Sequence, residues 1–135
     1  MDIEEILAYC QAKKGVTETF PFGPHDLVLK VGGKMFLLIA LEDQPTAFAC
    51  KGDPEKNLEL REKHHQITGA YHMNKTHWNG VVCDGLKAEL IYKMIDHSYN
   101  LVFSSLTKKK QQEILTTFKL NISNLSADSI INSLI

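Results

Sequence analysis

Apolar positions recur along this chain with two different periods. Ile3, Ile6, Leu7 and Cys10 share one helical face, Asp2 stands where a cap is needed, and Glu5 follows three positions later. Gly15, after Lys13-Lys14, supplies the stop. Phe20-Pro21-Phe22-Gly23-Pro24 excludes helix, because two prolines and a glycine lie together. Leu27 to Val31 and Lys34 to Leu41 then read as strands joined by Gly32-Gly33, a two-residue link in which both positions can take positive φ. Gln44-Pro45 breaks the second strand and Thr46 to Lys51 makes a third, which predicts an antiparallel meander.

Asp53-Pro54 announces a helix over Glu55 to Gln66, which is charged almost throughout and predicted at the surface. Ile67 to Asn79 shows no period, and Trp78 to Cys83 reads as another strand. After Asp84-Gly85, Leu86, Leu90, Ile91, Met94, Ile95 and Val102 recur at helical spacing, marking the helix that packs on the sheet. Lys108-Lys109-Lys110 is expected at its C-terminal end or in the next turn, where cations complement the helix dipole. This order implies a two-layer α+β domain.

Composition narrows the class without naming a chemistry. With 135 residues, 44% hydrophobic and 23% charged, the chain is long enough and apolar enough for one folded domain. The longest apolar run, Met35 to Leu41, is too short to cross a bilayer, and the acidic start Met1-Asp2-Ile3-Glu4-Glu5 is unlike a secretory signal, so a cytoplasmic location is expected. Cys10, Cys50 and Cys83 form no CxxC and lie in apolar stretches, where they are expected to be reduced core thiols. The net charge is -1, but unevenly spread: residues 1–50 carry 4 bases and 7 acids, residues 51–110 carry 10 bases and 7 acids. That distribution permits weak, salt-sensitive attraction to a polyanion. Arg61 is the sole arginine, which removes most bidentate guanine readout.

Candidate chemistry concentrates between Gly69 and Gly80, where Tyr71, His72, Asn74, Lys75, His77, Trp78 and Asn79 crowd together. Lys and Asn supply donors for phosphates and an accessible aromatic can stack on a base. Spacing alone favours the other reading, in which the same residues anchor a long loop on the core, and Trp78 is expected to pack near Ile91 or Ile95. His64, His65, His72 and His77 follow no metal-ligand spacing, and no GxSxG or GxGxxG occurs. No catalytic, cofactor or metal site is assigned.

TFPFGPHDLVLKVGGKMFLLI, KGDPEKNLELREKH, GAYHMNKTHWNGV and IDHSYNLVFSSLTKKK together resemble the MmcQ/YjbR family of small bacterial proteins, over residues 2 to about 112. The family usually has a proline before the final lysines, where Thr107 stands here. The resemblance implies a two-layer α/β sandwich: a curved antiparallel sheet, the three-stranded meander plus one or two further strands, backed by helices and similar to CyaY-like and secretion-chaperone-like domains. Members are commonly called DNA-binding because the sheet resembles the double wing of a phage transcription factor.

The expectation from these readings is a non-enzymatic, monomeric binding domain over residues 1–112 with a C-terminal extension over 113–135 packed on it. DNA is the expected partner, held weakly through phosphates, and no membrane is involved. Lys75, His77 and Asn79 are the candidate contact donors and Trp78 the stacking group. Lys30, Lys34 and Lys51 are expected on the sheet, and Lys108, Lys109 and Lys110 add attraction. A protein-interaction or chaperone-like module is the alternative, and a small-molecule binder or enzyme the third. In the extension, Ile130, Ile131, Leu134 and Ile135 form an apolar stripe expected to dock on the domain.

Overall fold

The structure, a computed structural model, describes residues 1–120. The Glu5 N–H donates to Asp2 Oδ1 at 2.8 Å and starts α1 (Ile3–Gln11), as the capping pattern predicts. Six strands follow: β1 (Val16–Thr19), β2 (Asp26–Val31), β3 (Lys34–Ala40), β4 (Ala47–Lys51), β5 (Ile67–Gly69) and β6 (Trp78–Val82). They form one antiparallel sheet in the order β1-β2-β3-β4-β6-β5. Helix α2 (Pro54–Lys63) joins β4 to β5, and α3 (Ala88–Ser105) follows β6. A fourth helix, α4, covers 108–120.

The Gly32-Gly33 link works as predicted: φ is 58° and 82°, and Val31 pairs directly with Lys34. A side chain at either position would be strained. The sequence pattern misses β1 and β5. Both are short edge strands, and β1 reads Val-Thr-Glu-Thr with no apolar alternation to signal it.

One sheet face carries the core. Leu27, Leu29, Phe36, Leu37, Ile39, Phe48 and Val81 meet Ile91, Ile95 and Val102 of α3 and Ile6 of α1. Burying such side chains contributes about 1.5–3 kcal/mol each. Ser98, fully buried on α3, fixes the register between the layers. Its hydroxyl donates to the Phe36 carbonyl at 2.6 Å and accepts the Lys51 N–H at 2.8 Å. Phe36 sits where the β2–β3 pairing shifts register, so its carbonyl lies outside the regular ladder and takes its partner from the helix. Two residues before Ser98, Asp96 accepts from the Tyr9 hydroxyl at 2.7 Å and pairs with Lys13, tying α1 to the same helix.

The lysine triplet corrects the sequence reading. Helix α3 ends at Ser105, and the Lys110 N–H donates to Thr107 Oγ1 at 3.1 Å. Thr107 therefore caps α4, and Lys108, Lys109 and Lys110 occupy its first turn, the end where the helix dipole disfavours cations. Ile114 of α4 is buried in the main core cluster, so the expected boundary at residue 112 falls within a helix packed on the domain. The stripe Ile130, Ile131, Leu134 and Ile135 lies outside the described residues.

Candidate functional site

The sheet face opposite the core is not polar. Met35, Leu38, Ala40, Ala47, Ala49, Trp78 and Gly80 line a groove of about 660 Å³ on it. The depression follows from side-chain size. Ala40 pairs with Ala47, and Ala49 pairs with Leu38 on one side and Gly80 on the other. Small residues therefore cross the middle strands between the bulkier Leu38 and Trp78. Two loops wall the groove. The β1–β2 loop contributes Phe22, 65% exposed, and the β5–β6 loop contributes Tyr71, 80% exposed. His72, at φ 61°, takes a left-handed backbone that turns this second loop. The carboxylates on the lining are Asp26 and Asp43, and no lysine or arginine contributes to it.

Trp78 is thus placed differently from its expected position. It lies partly exposed in the groove, on the face away from Ile91 and Ile95. Strand alternation sends its neighbour Asn79 the other way, to 1% exposure. Asn79 cannot serve as a surface contact donor, because its amide is used inside the protein. Its Oδ1 accepts from Arg61 Nε at 2.7 Å and its Nδ2 donates to Asn57 Oδ1 at 3.0 Å. Asn57 Nδ2 in turn donates to the carbonyls of Gly52 and Thr76, each at 3.1 Å. Arg61 also donates to the carbonyls of Lys75 and Trp78. This network clips the β5–β6 loop to α2, through Asn57 in its first half and Arg61 in its last turn. Gly52 is required beside it, since a Cβ there would collide with Asn57 Oδ1.

The remaining candidate lysines do not converge. Lys75 and His77 are exposed on the β5–β6 loop, with the Lys75 side chain lying over Gly69. Lys34 is exposed at the tip of the β2–β3 hairpin, and Lys30 sits opposite Met35 near the same end. Lys51 pairs with Trp78 at the far end of β4. Lys108, Lys109 and Lys110 belong to α4. None of these lines the groove.

All three thiols are buried and reduced. Burial pushes Cys10 and Cys50 up to about 12 and raises Cys83, so none is a ready thiolate. Among the described residues no group of three His, Cys, Asp or Glu is placed to hold a metal, and no helix is long and apolar enough to cross a membrane.

The YjbR family model matches residues 11–101. The chain belongs to the YjbR family. It is 31% identical to the uncharacterized protein YjbR of Escherichia coli K12 over 113 residues, 83% of this chain and 96% of that one. It is 35% identical to the uncharacterized protein YbdF of Escherichia coli O157:H7 over 96 residues, 70% of this chain and 79% of YbdF. Among solved structures, Deinococcus radiodurans DR2400, a DUF419 domain, superposes with a TM-score of 0.79 at 35% identity, covering 83% of this chain and 86% of DR2400. A Pseudomonas syringae protein gives 0.65 at 26% identity, covering 76% of this chain and 99% of its own.

Within this YjbR chain the two polar motifs meet as one structural unit. KGDPEKNLELREKH supplies Gly52, Asn57 and Arg61, and GAYHMNKTHWNGV supplies Asn79 and the carbonyls that they bind. The groove residues were harder to read from sequence. The available signal was that β3 (Lys-Met-Phe-Leu-Leu-Ile-Ala) and β4 (Ala-Phe-Ala-Cys-Lys) are apolar at nearly every position rather than at every second one. In an antiparallel sheet with helices on one side, that pattern means an apolar open face.

Proposed function

We propose that this YjbR-family chain is a non-catalytic polypeptide-binding module. Its open sheet face receives a partner segment with an apolar stripe flanked by Lys or Arg. The observation that carries the reading is the apolar lining of a sheet face that no described element covers, walled by the exposed aromatics Phe22 and Tyr71. Contiguous exposed apolar surface of this kind marks interaction sites. Asp26 and Asp43 give the groove its charge preference, so a basic segment is favoured over an acidic one.

Duplex DNA is the less supported partner. Phosphate contacts need cations at the contact surface, and the groove lining presents carboxylates. Of the candidate lysines, Lys30 and Lys51 share the open face only at its ends, beside Met35 and Trp78, while the others are spread over the β5–β6 loop, the hairpin tip and α4. Asn79 is internal and Trp78 stands in the groove instead of beside a basic patch.

Selection of a random displayed peptide library on the full chain tests the proposal, with recovered peptides titrated against Trp78 fluorescence. Trp78 is the only tryptophan, and so reports the groove directly. Recovered peptides are expected to combine large apolar residues with Lys or Arg, and Leu38→Lys is expected to weaken them about tenfold or more. Failure to recover binders, or binders indifferent to Leu38→Lys, contradicts the proposal. A salt-sensitive Trp78 response to a short duplex, with no peptide response, restores the DNA reading.

A further inference from the structure

A second concavity opens on the helix-covered side of the sheet, independent of the groove. It lies between α2 and α3 and has a volume of about 240 Å³. Helix α2 packs on β5 whereas α3 packs on β2, β3 and β4, which leaves a gap above the β4–β6 pair. The cross-strand neighbours Cys50 and Asn79 form the floor. Leu60 of α2 and Leu90 and Met94 of α3 supply apolar walls.

The mouth has the opposite character. Lys56 of α2 and Lys93 of α3 line it against a single carboxylate, Glu59. Lys51, the cross-strand partner of Trp78, turns its backbone N–H to α3 and its side chain to the opposite sheet face. Lys93 makes an exposed i,i+4 contact with Glu89 at 3.7 Å, and the described ion pairs do not include Lys56. His97 completes the lining. Its Nε2 accepts the Asp53 N–H at 3.1 Å, which leaves the ring hydrogen on Nδ1 as a donor. Burial, reinforced by Lys56, holds the ring below the usual histidine range, so it is a neutral donor at pH 7.

Apolar walls below a mouth that carries two amines are a recognition pattern for a charged head on an apolar body. A cavity of about 150 Å³ is enough for a benzene ring, so this one has room for a ring and its substituent. We propose that the cleft binds a small organic anion, a single ring or short chain bearing a carboxylate or phosphate. The body rests on Leu60, Leu90 and Met94, and the head sits between Lys56 and Lys93, within reach of His97.

Amide NMR of the full chain, titrated separately with benzoate, phenyl phosphate, benzylamine and inorganic phosphate, tests this. Both aryl anions are expected to shift the Lys51, Gly52 and His97 amides saturably, with benzylamine silent and inorganic phosphate weaker. The paired substitution Lys56→Ala, Lys93→Ala changes two exposed side chains, so the melting temperature is expected to stay put. Affinity is expected to fall about fivefold or more. Silence with both aryl anions, a matching response to benzylamine, or shifts undiminished in the paired variant overturn the proposal. Inorganic phosphate acting as strongly as phenyl phosphate overturns it too, because the apolar walls would then contribute nothing.

Discussion

Trp78 and Asn79 are adjacent in sequence and face opposite sides of the sheet. Trp78 lines the open groove, and Asn79 is sealed beneath α2, bonded to Arg61 and Asn57. One loop-and-strand segment thus serves both the binding surface and the scaffold, and the two roles separate by mutation.

Arg61 is expected to be structural. Arg61→Ala leaves the buried Asn79 Oδ1 and two backbone carbonyls short of a donor, a loss of about 1–3 kcal/mol. Arg61→Lys restores little, since one ammonium cannot span acceptors that a planar guanidinium reaches together. In a double-mutant cycle with Asn79→Ala, followed by urea unfolding, the coupling is expected at about 0.5–3 kcal/mol. Strict additivity contradicts the network.

Trp78→Ala is expected to cost less than the ~3–5 kcal/mol typical of core aromatic truncation, because the ring is partly exposed on the groove side. Acrylamide is expected to quench the native fluorescence readily. A protected Trp78 and a full core-sized loss on truncation argue against the placement described.

Local chemistry made much of the scaffold legible. Asp2 with Glu5, Gly32-Gly33 and Asp53-Pro54 each impose a backbone geometry within a few residues, and the structure uses each where the sequence puts it. Asp53 contributes by position alone, without a side-chain cap bond. The periodic helix α3 was visible for the same reason. What depends on distant pairing was not. Edge strands β1 and β5 acquire their conformation from neighbours, and Thr107 reads as a helix cap only once α3 is known to stop at Ser105. The candidate donors failed at Asn79, because polarity in sequence does not distinguish a ligand contact from an internal clip. The groove depends on which strands flank Ala40, Ala49 and Gly80.

His97 gives stability a pH dependence of defined sign. Its folded pKa lies below the ordinary 6.5, with burial the leading cause and Lys56 the next. Below pH 6.5 the unfolded chain takes up a proton that the folded ring resists, so this contribution falls as pH drops from 6.5 toward the folded value, and is flat above that window. The difference in unfolding free energy between the parent chain and His97→Gln, measured from pH 7.5 to 5, is expected to shrink in that direction. A difference that grows on acidification contradicts a lowered pKa.

The proposed binding surface is the open sheet face, not the scattered lysines. The most direct measurement is amide NMR mapping of the full chain, first with a library-selected basic peptide and then with a short DNA duplex at low salt. Peptide-induced shifts are expected at Met35, Leu38, Ala49 and Gly80 together with the Trp78 indole, with little change at Lys75, His77 or Lys108 to Lys110. Saturable shifts at those lysines with duplex, and an unmoved groove with peptide, contradict this.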